Sequence, residues 1–215
     1  MTKRTYQQYC PLALALETLG ERWSLLIVRE LLGGPKRYTD LRAGLGAVSP
    51  TLLAARLGEL EEAGVIEKQD LPPPAARTVY ALTEEGRGLA PVLAGLTRWG
   101  MRRLPEPGGP RQPRPVMTAR TALLAYAKPF PAADDETTYE VRVDGLPFTF
   151  VFAGGAIELR DGPPLARPDL RATATAADLI RLRQGTLSPR KAIRYQPRDR
   201  SRITRFEEAF GLTRS

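Results

Sequence analysis

Histidine is missing from the 215 residues, and cysteine occurs once, at Cys10. Without histidine the chain lacks the commonest general base and metal ligand of neutral pH, and one thiol closes no internal disulfide. Most hydrolase and zinc chemistry is thereby excluded. No run of 18 apolar residues exists, and residues 1–9 hold no apolar signal-peptide core, so a cytoplasmic protein without a membrane span is expected. Negative charge is in deficit: 32 Lys+Arg against 24 Asp+Glu leave a net +8, which favours an anionic partner, nucleic acid first. Scattered carboxylates and tyrosines have no spacing that nominates an acid/base pair, so neither an enzyme nor a cofactor is expected.

What is present is a dense series of structure signals between Tyr38 and Thr83. Thr39 is a candidate N-cap for a helix that stops at Gly46. Ser49-Pro50 starts a second helix, with a capping hydroxyl followed by proline where a missing N–H costs nothing. Leu53, Leu57 and Leu60 share one face of it, and Thr51, Ala55 and Gly58 lie roughly opposite as a low-relief face. After Gly64, strands at Val65–Lys68 and Thr78–Leu82 flank the proline-rich tip Asp70–Arg77. Helix, turn, helix and hairpin in this order read as a winged helix-turn-helix.

Base edges are reached from the start of a recognition helix, which nominates Ser49, Pro50, Thr51, Leu52, Ala55 and Arg56. Thr51 and Ala55 suit thymine methyls, and Arg56, lying off the centre of the face, suits a phosphate. Lys36, Arg37 and Thr39 sit where they can meet phosphate, a solvated basic loop being the alternative. Arg77 and Thr78 close the wing, as backbone or minor-groove contacts or as an ordinary surface turn.

Upstream, Cys10-Pro11 precedes a helix over Leu12–Leu19, which places the thiol at a helix start. It is a candidate redox sensor or a small inert residue. Trp23, Leu26, Ile27 and Leu31 have helical spacing along Arg22–Leu32 and read as core. Downstream, Thr83 caps a helix expected to run to about Leu104, with Leu89, Val92, Leu93, Leu96 and Trp99 as its apolar stripe. That stripe must bury against a partner subunit or the C-terminal half.

Residues 10–104 resemble the HxlR family of bacterial winged-helix regulators, related to the MarR-type regulators. The resemblance rests on Cys10-Pro11, on Gly20-Glu21-Arg22-Trp23-Ser24, and on Gly34-Pro35-Lys36-Arg37-Tyr38-Thr39-Asp40-Leu41. It continues through Ser49 to Leu53, Arg56 to Gly64, Tyr80 to Gly86 and Trp99-Gly100. It implies a homodimer on a pseudo-palindromic operator in double-stranded DNA, with the first and last helices, and so Leu12 and Leu16 together with the downstream stripe, at the dimer contact. Tyr38 stands where phenylalanine is usual, and the wing carries three prolines and few charges.

Residues 105–116 are dense in proline and glycine and read as a linker between a domain at 1–104 and one at 117–215. Beyond it a short helix is expected at Thr118–Lys128, then strands at Tyr139–Val143, Phe148–Phe152, Ala156–Arg160 and Asp169–Ala176, with helices at Ala177–Gln184 and Pro189–Tyr195. An α+β layer structure follows. The stretch Thr173–Ala192 resembles sterol-carrier-protein-like domains, which implies an apolar cavity for a small hydrophobic ligand. Phe148, Phe150, Phe152, Ile157, Leu179, Leu182, Leu187 and Ile193 can line one, or form plain core. From Arg181 to Arg205 nine Lys/Arg accompany one Asp, a cluster able to hold an anionic effector or DNA, or to remain solvated.

The expectation is therefore a homodimeric DNA-binding transcriptional regulator. Its N-terminal part is a mostly α winged helix-turn-helix with a small β-wing, and its C-terminal part is α+β, sterol-carrier-like and bound to a hydrophobic effector. The alternative is a ligand carrier whose N-terminal half serves only for dimerisation.

Overall fold

The computed structural model describes residues 5–71, 77–108, 117, 125–128 and 136–212. The chain forms two compact units, Met1–Ala90 and Pro91–Ser215. The tip of the wing at 72–76, most of the linker at 109–116 and most of the expected helix at 118–128 lie outside the described residues. Among the described residues no helix is long and apolar enough to cross a membrane.

The first unit runs α1 (Pro11–Leu19), α2 (Ser24–Leu31), α3 (Tyr38–Leu45), α4 (Pro50–Glu62), β1 (Ile66–Leu71), β2 (Arg77–Leu82) and α5 (Glu84–Arg87). α2 is its hub and packs on α3, α4 and β2. Ile27, Val28 and Leu31 of α2, Leu41 and Leu45 of α3, and Leu53, Leu57 and Leu60 of α4 are buried. The expected face of α2 is shifted: Leu26 is exposed and Trp23 half-buried, and with Trp23 at a left-handed φ of 85° the helix starts at Ser24, two residues later than expected. α3, by contrast, starts earlier than expected. Its cap is Arg37 rather than Thr39, since the Asp40 carboxylate accepts the Arg37 backbone N–H (3.3 Å).

α4 ends as glycine permits. Gly64 adopts a φ of +72°, and Val65 then donates back to Leu60 O (3.0 Å), which turns the chain into β1. Thr83 caps α5 by accepting from the Gly86 N–H (3.0 Å). The single long helix expected from here is broken in two, α5 and α6 (Ala90–Met101). Pro91 has no N–H for the Arg87 carbonyl, so the first helix ends and a new one begins around the proline.

The second unit includes nearly all of α6. Met101 packs on Ile180, Arg98 donates to Ala125 O (2.5 Å) and Gln184 to Leu104 O (2.8 Å). These contacts put the division ahead of the proline-rich linker. Beyond the linker come β3 (Thr137–Val143), β4 (Leu146–Ala153), β5 (Ala156–Asp161), β6 (Leu170–Ala174), α7 (Ala176–Gln184), α8 (Pro189–Ala192), β7 (Arg194–Gln196) and α9 (Arg200–Ala209). The sheet order is β5-β4-β3-β6-β7, with β3 and β6 parallel and the other pairs antiparallel. The hairpin at Asp144-Gly145 is as expected. β7 and α9 are additions, and α8 stops at Ala192 because Ile193 is extended (φ −127°).

Alternation along the strands sorts the two faces. Tyr139, Val141, Phe148, Phe150, Phe152, Leu170 and Ala172 meet Leu179 of α7 and Phe206 and Phe210 of α9. The rings pack on one another, Phe206–Phe210 at 4.6 Å and Phe150–Phe210 at 5.1 Å between centroids. Burial here pushes the Tyr139 phenol up to about 12. On the opposite face the Glu140 carboxylate, 1% exposed, accepts from Arg142 (2.5 Å) and Arg171 (2.7 Å). Burial alone would raise that carboxyl, but the two guanidinium hydrogen bonds outweigh it and hold it below its ordinary value.

Candidate nucleic-acid interface

The start of α4 is fixed by three local contacts. Ser49 Oγ accepts the Leu52 N–H (3.3 Å), Pro50 occupies the first helical position, and Tyr38 Oη of α3 donates to Pro50 O (2.9 Å). The last bond ties the supporting helix to the first turn of α4. Burying Leu53, Leu57 and Leu60 adds roughly 2 kcal/mol each and fixes which face of α4 points outward. That face carries Pro50, Thr51, Ala54 and Ala55, all exposed, with Gly58 beside them. A Cβ added at Gly58 would meet no atom within 4 Å, so the outward side of α4 has open space there.

Arg56 does not join this face. Its guanidinium donates to Glu21 of the α1–α2 turn (2.9 Å) and to Glu59 one turn along α4, and its side chain is only 14% exposed. In this structure the residue nominated for a phosphate pins α4 to the turn before α2. Thr51, Leu52 and Ala55 lie in the first two turns of α4, Thr51 and Ala55 exposed and Leu52 half-buried.

The wing is held to the same body. β1 and β2 pair from Ile66↔Leu82 to Leu71↔Arg77, longer than the strands expected from sequence. Lys36 and Tyr80 exchange both backbone hydrogen bonds (2.9 and 2.8 Å), so the segment ahead of α3 pairs with β2. Lys68 donates to Glu61 of α4 (2.6 Å), a hydrogen bond that holds its ammonium above the ordinary value. Arg37, Thr39 and Arg77 are exposed, while Arg37 also pairs with Asp40 (3.4 Å). The Thr78 hydroxyl donates to Asp70 across the hairpin (2.7 Å). Arg42, exposed in the last turn of α3, is a further cation on this unit that the motif reading missed.

The other sequence-nominated residues fall outside this interface. Cys10 is exposed at the start of α1. In the first unit Leu12 (67% exposed) and Leu16 are uncovered and Leu89 is half-buried, and in the second Val92, Leu96 and Trp99 (53%) are uncovered whereas Leu93 is buried. All eight candidate ligand-lining residues belong to the core of the second unit. Phe148, Phe150, Phe152, Leu179 and Ile193 are buried, and Ile157, Leu182 and Leu187 pack at its margin. Those side chains pack together between sheet and helices.

The family model described as HxlR-like helix-turn-helix matches residues 18–107. The HTH-type transcriptional regulator YvaP of Bacillus subtilis is 39% identical over 85 residues, which cover 40% of this chain and 79% of YvaP. Rv3095 of Mycobacterium tuberculosis, also named an HTH-type transcriptional regulator, is 43% identical over 96 residues, 45% of this chain and 60% of that protein. A solved structure of the reduced form of the B. subtilis transcriptional regulator YodB is 36% identical and covers 47% of this chain and 100% of its own, with a TM-score of 0.40. Given the match at 18–107 and the share of YvaP that is covered, the chain belongs to the HxlR-like helix-turn-helix family.

Proposed function

We propose that this protein is a DNA-binding transcriptional regulator that acts as a homodimer and lays α4 in the major groove of a two-fold operator. The observation that carries the reading is the division of α4, with three leucines locked into the core and Pro50, Thr51, Ala54 and Ala55 left bare at its entering end. The names of its relatives support it. Thr51 and Ala55 are placed for thymine methyls, while Lys36, Arg37, Thr39, Arg42, Arg77 and Thr78 are the groups from which phosphate contacts are drawn. The uncovered side chains of α1 and α6 support a partner subunit, and a two-fold dimer matches a two-fold site. Control by a small hydrophobic ligand in the second unit is the further part of this reading, with Phe148, Phe150, Phe152 and Leu179 as the side chains it would have to part.

The test is binding of the full chain to the DNA upstream of its own gene and to a scrambled duplex, across a salt series, for wild type and Ala55→Glu. A preference for the upstream DNA that persists at physiological salt and disappears in the variant is expected. Equal, equally salt-steep binding to both duplexes would refute operator recognition. Light scattering of Leu96→Glu beside wild type checks the dimer, which the exposed carboxylate should dissociate.

A further inference from the structure

The second unit pairs its cations wherever an acid is at hand. Arg142 and Arg171 share Glu140, Arg160 holds Glu158 (2.6 Å), Arg181 reaches Asp178 (3.3 Å), and Arg202 donates to Asp169 O (2.8 Å). Arg183 is half-buried, donates to Phe210 O (2.8 Å) and Gly211 O (3.3 Å), and lies 3.9 Å from the Tyr126 ring. Among the described residues Arg102, Lys128 and Arg167 stand singly without such a partner, and one segment gathers several cations in that state. Arg190 and Lys191 of α8, Arg194 of β7, and Arg198 and Arg200 at the start of α9 are all exposed, and among the described residues none makes an ion pair or hydrogen bond through its side chain.

These five come from 11 consecutive residues wrapped around β7, the edge strand of the sheet. Ala192 and Ile193 are buried between them and anchor the segment, so the charges stand on a rigid support. The single acid of the segment, Asp199, does not offset them. Its carboxylate accepts from the Ser201 N–H (2.9 Å), the Ser201 hydroxyl (2.6 Å) and the Arg202 N–H (3.2 Å) as the cap of α9. These contacts, the Ser201 hydroxyl first, hold the carboxyl below its ordinary value. The result is a positive edge whose own acid is engaged as a cap, a match for a polyanion with closely spaced charges.

We infer that this edge is a second, sequence-independent DNA contact, in which Arg190, Lys191, Arg194, Arg198 and Arg200 meet the phosphate backbone of duplex DNA. Duplex DNA is the occupant because it presents one charge per roughly 1.7 Å along its axis and because the protein belongs to a helix-turn-helix family. The contact adds affinity and salt dependence without adding base preference, as phosphate contacts do.

The experiment compares wild type, the triple variant Arg194→Gln/Arg198→Gln/Arg200→Gln, Ala55→Glu, and the combination of all four, each as the full chain, on a 40-base-pair random-sequence duplex across a salt series. All four sites are exposed, and thermal melting confirms that each variant is folded. The triple variant should lower the slope of log K against log salt by about 2 to 3, near 0.9 per lost phosphate contact. The same drop should separate Ala55→Glu from the combined variant, which isolates the edge from α4. Loss of slope in Ala55→Glu alone, with none added by the triple change, would overturn the inference and leave operator recognition standing. An unchanged slope throughout would assign the cations to solvation of the edge strand. A triple variant that keeps its DNA slope but no longer binds vesicles of equal phosphatidylglycerol and phosphatidylcholine would overturn it in favour of a membrane surface.

Discussion

Replacing Arg56 with methionine separates a residue that holds the reading helix in place from one that touches DNA. Methionine keeps much of the stem that packs on α4 and removes the guanidinium that bonds Glu21 and Glu59. Both glutamates are nearly half exposed, so solvent screens each pair and about 0.5 kcal/mol apiece is the reasonable size, near 1 kcal/mol for the pair of contacts. That is about a fivefold change in the folded-to-unfolded ratio, readable as a shifted urea midpoint of the first unit with Trp23 as the fluorophore in a Trp99→Phe background. A double-mutant cycle with Glu21→Gln should return a coupling of a few tenths of a kcal/mol. Operator affinity should fall modestly as α4 loosens, but the slope of log K against log salt should not change, because no phosphate contact is lost. A slope smaller by about 0.9 together with an unshifted urea midpoint would refute this reasoning and return Arg56 to the phosphate backbone.

Tyr38→Phe removes the hydroxyl that bonds Pro50 O and should weaken operator binding a few-fold at constant salt slope, with stability lower by about 0.5–1 kcal/mol in urea titration. Phe210→Ala empties a site touched by Tyr139, Phe150, Phe152 and Phe206 and should cost the second unit about 3–5 kcal/mol, seen as early loss of its thermal transition. Glu140 has a lowered folded-state pKa, so its contribution is complete above the ordinary value of 4.5 and is lost as pH falls through the lowered one. Urea midpoints measured from pH 6 to pH 3 should fall more gently in Glu140→Gln than in wild type over that acid range.

The reading helix was legible because three independent signals agree on it. Ser49 and Pro50 mark its start, Leu53, Leu57 and Leu60 mark its buried face, and Gly64 marks its end. The two hairpins of the second unit were legible for a similar reason, since alternation and the turn pairs Asp144-Gly145 and Gly154-Gly155 coincide. What escaped were features decided by a single residue against a longer pattern. The apolar stripe from Leu89 to Trp99 suggests one continuous helix, but Pro91 overrides it. α9 carries Asp199 as cap and Ile203, Phe206 and Phe210 at helical spacing, a signal masked by the basic residues between them. The role of Arg56 was invisible for another reason. Its partner Glu21 lies 35 residues away, and no local pattern reports which way a flanking side chain will turn. The same holds for the parallel pairing of β3 with β6, which depends on how the chain returns rather than on either strand.

The joint between Lys36 and Tyr80 is made of main-chain atoms on both sides. Exchanging either side chain leaves its two hydrogen bonds intact, so mutational scanning would pass over it even though it fixes how the wing is carried beside α3. Only a substitution that deletes an N–H, proline at 36 or at 80, can open it. The side chains shown at these two positions can therefore change while the carriage of the wing stays constant, a division of labour between backbone and side chain within a single residue pair.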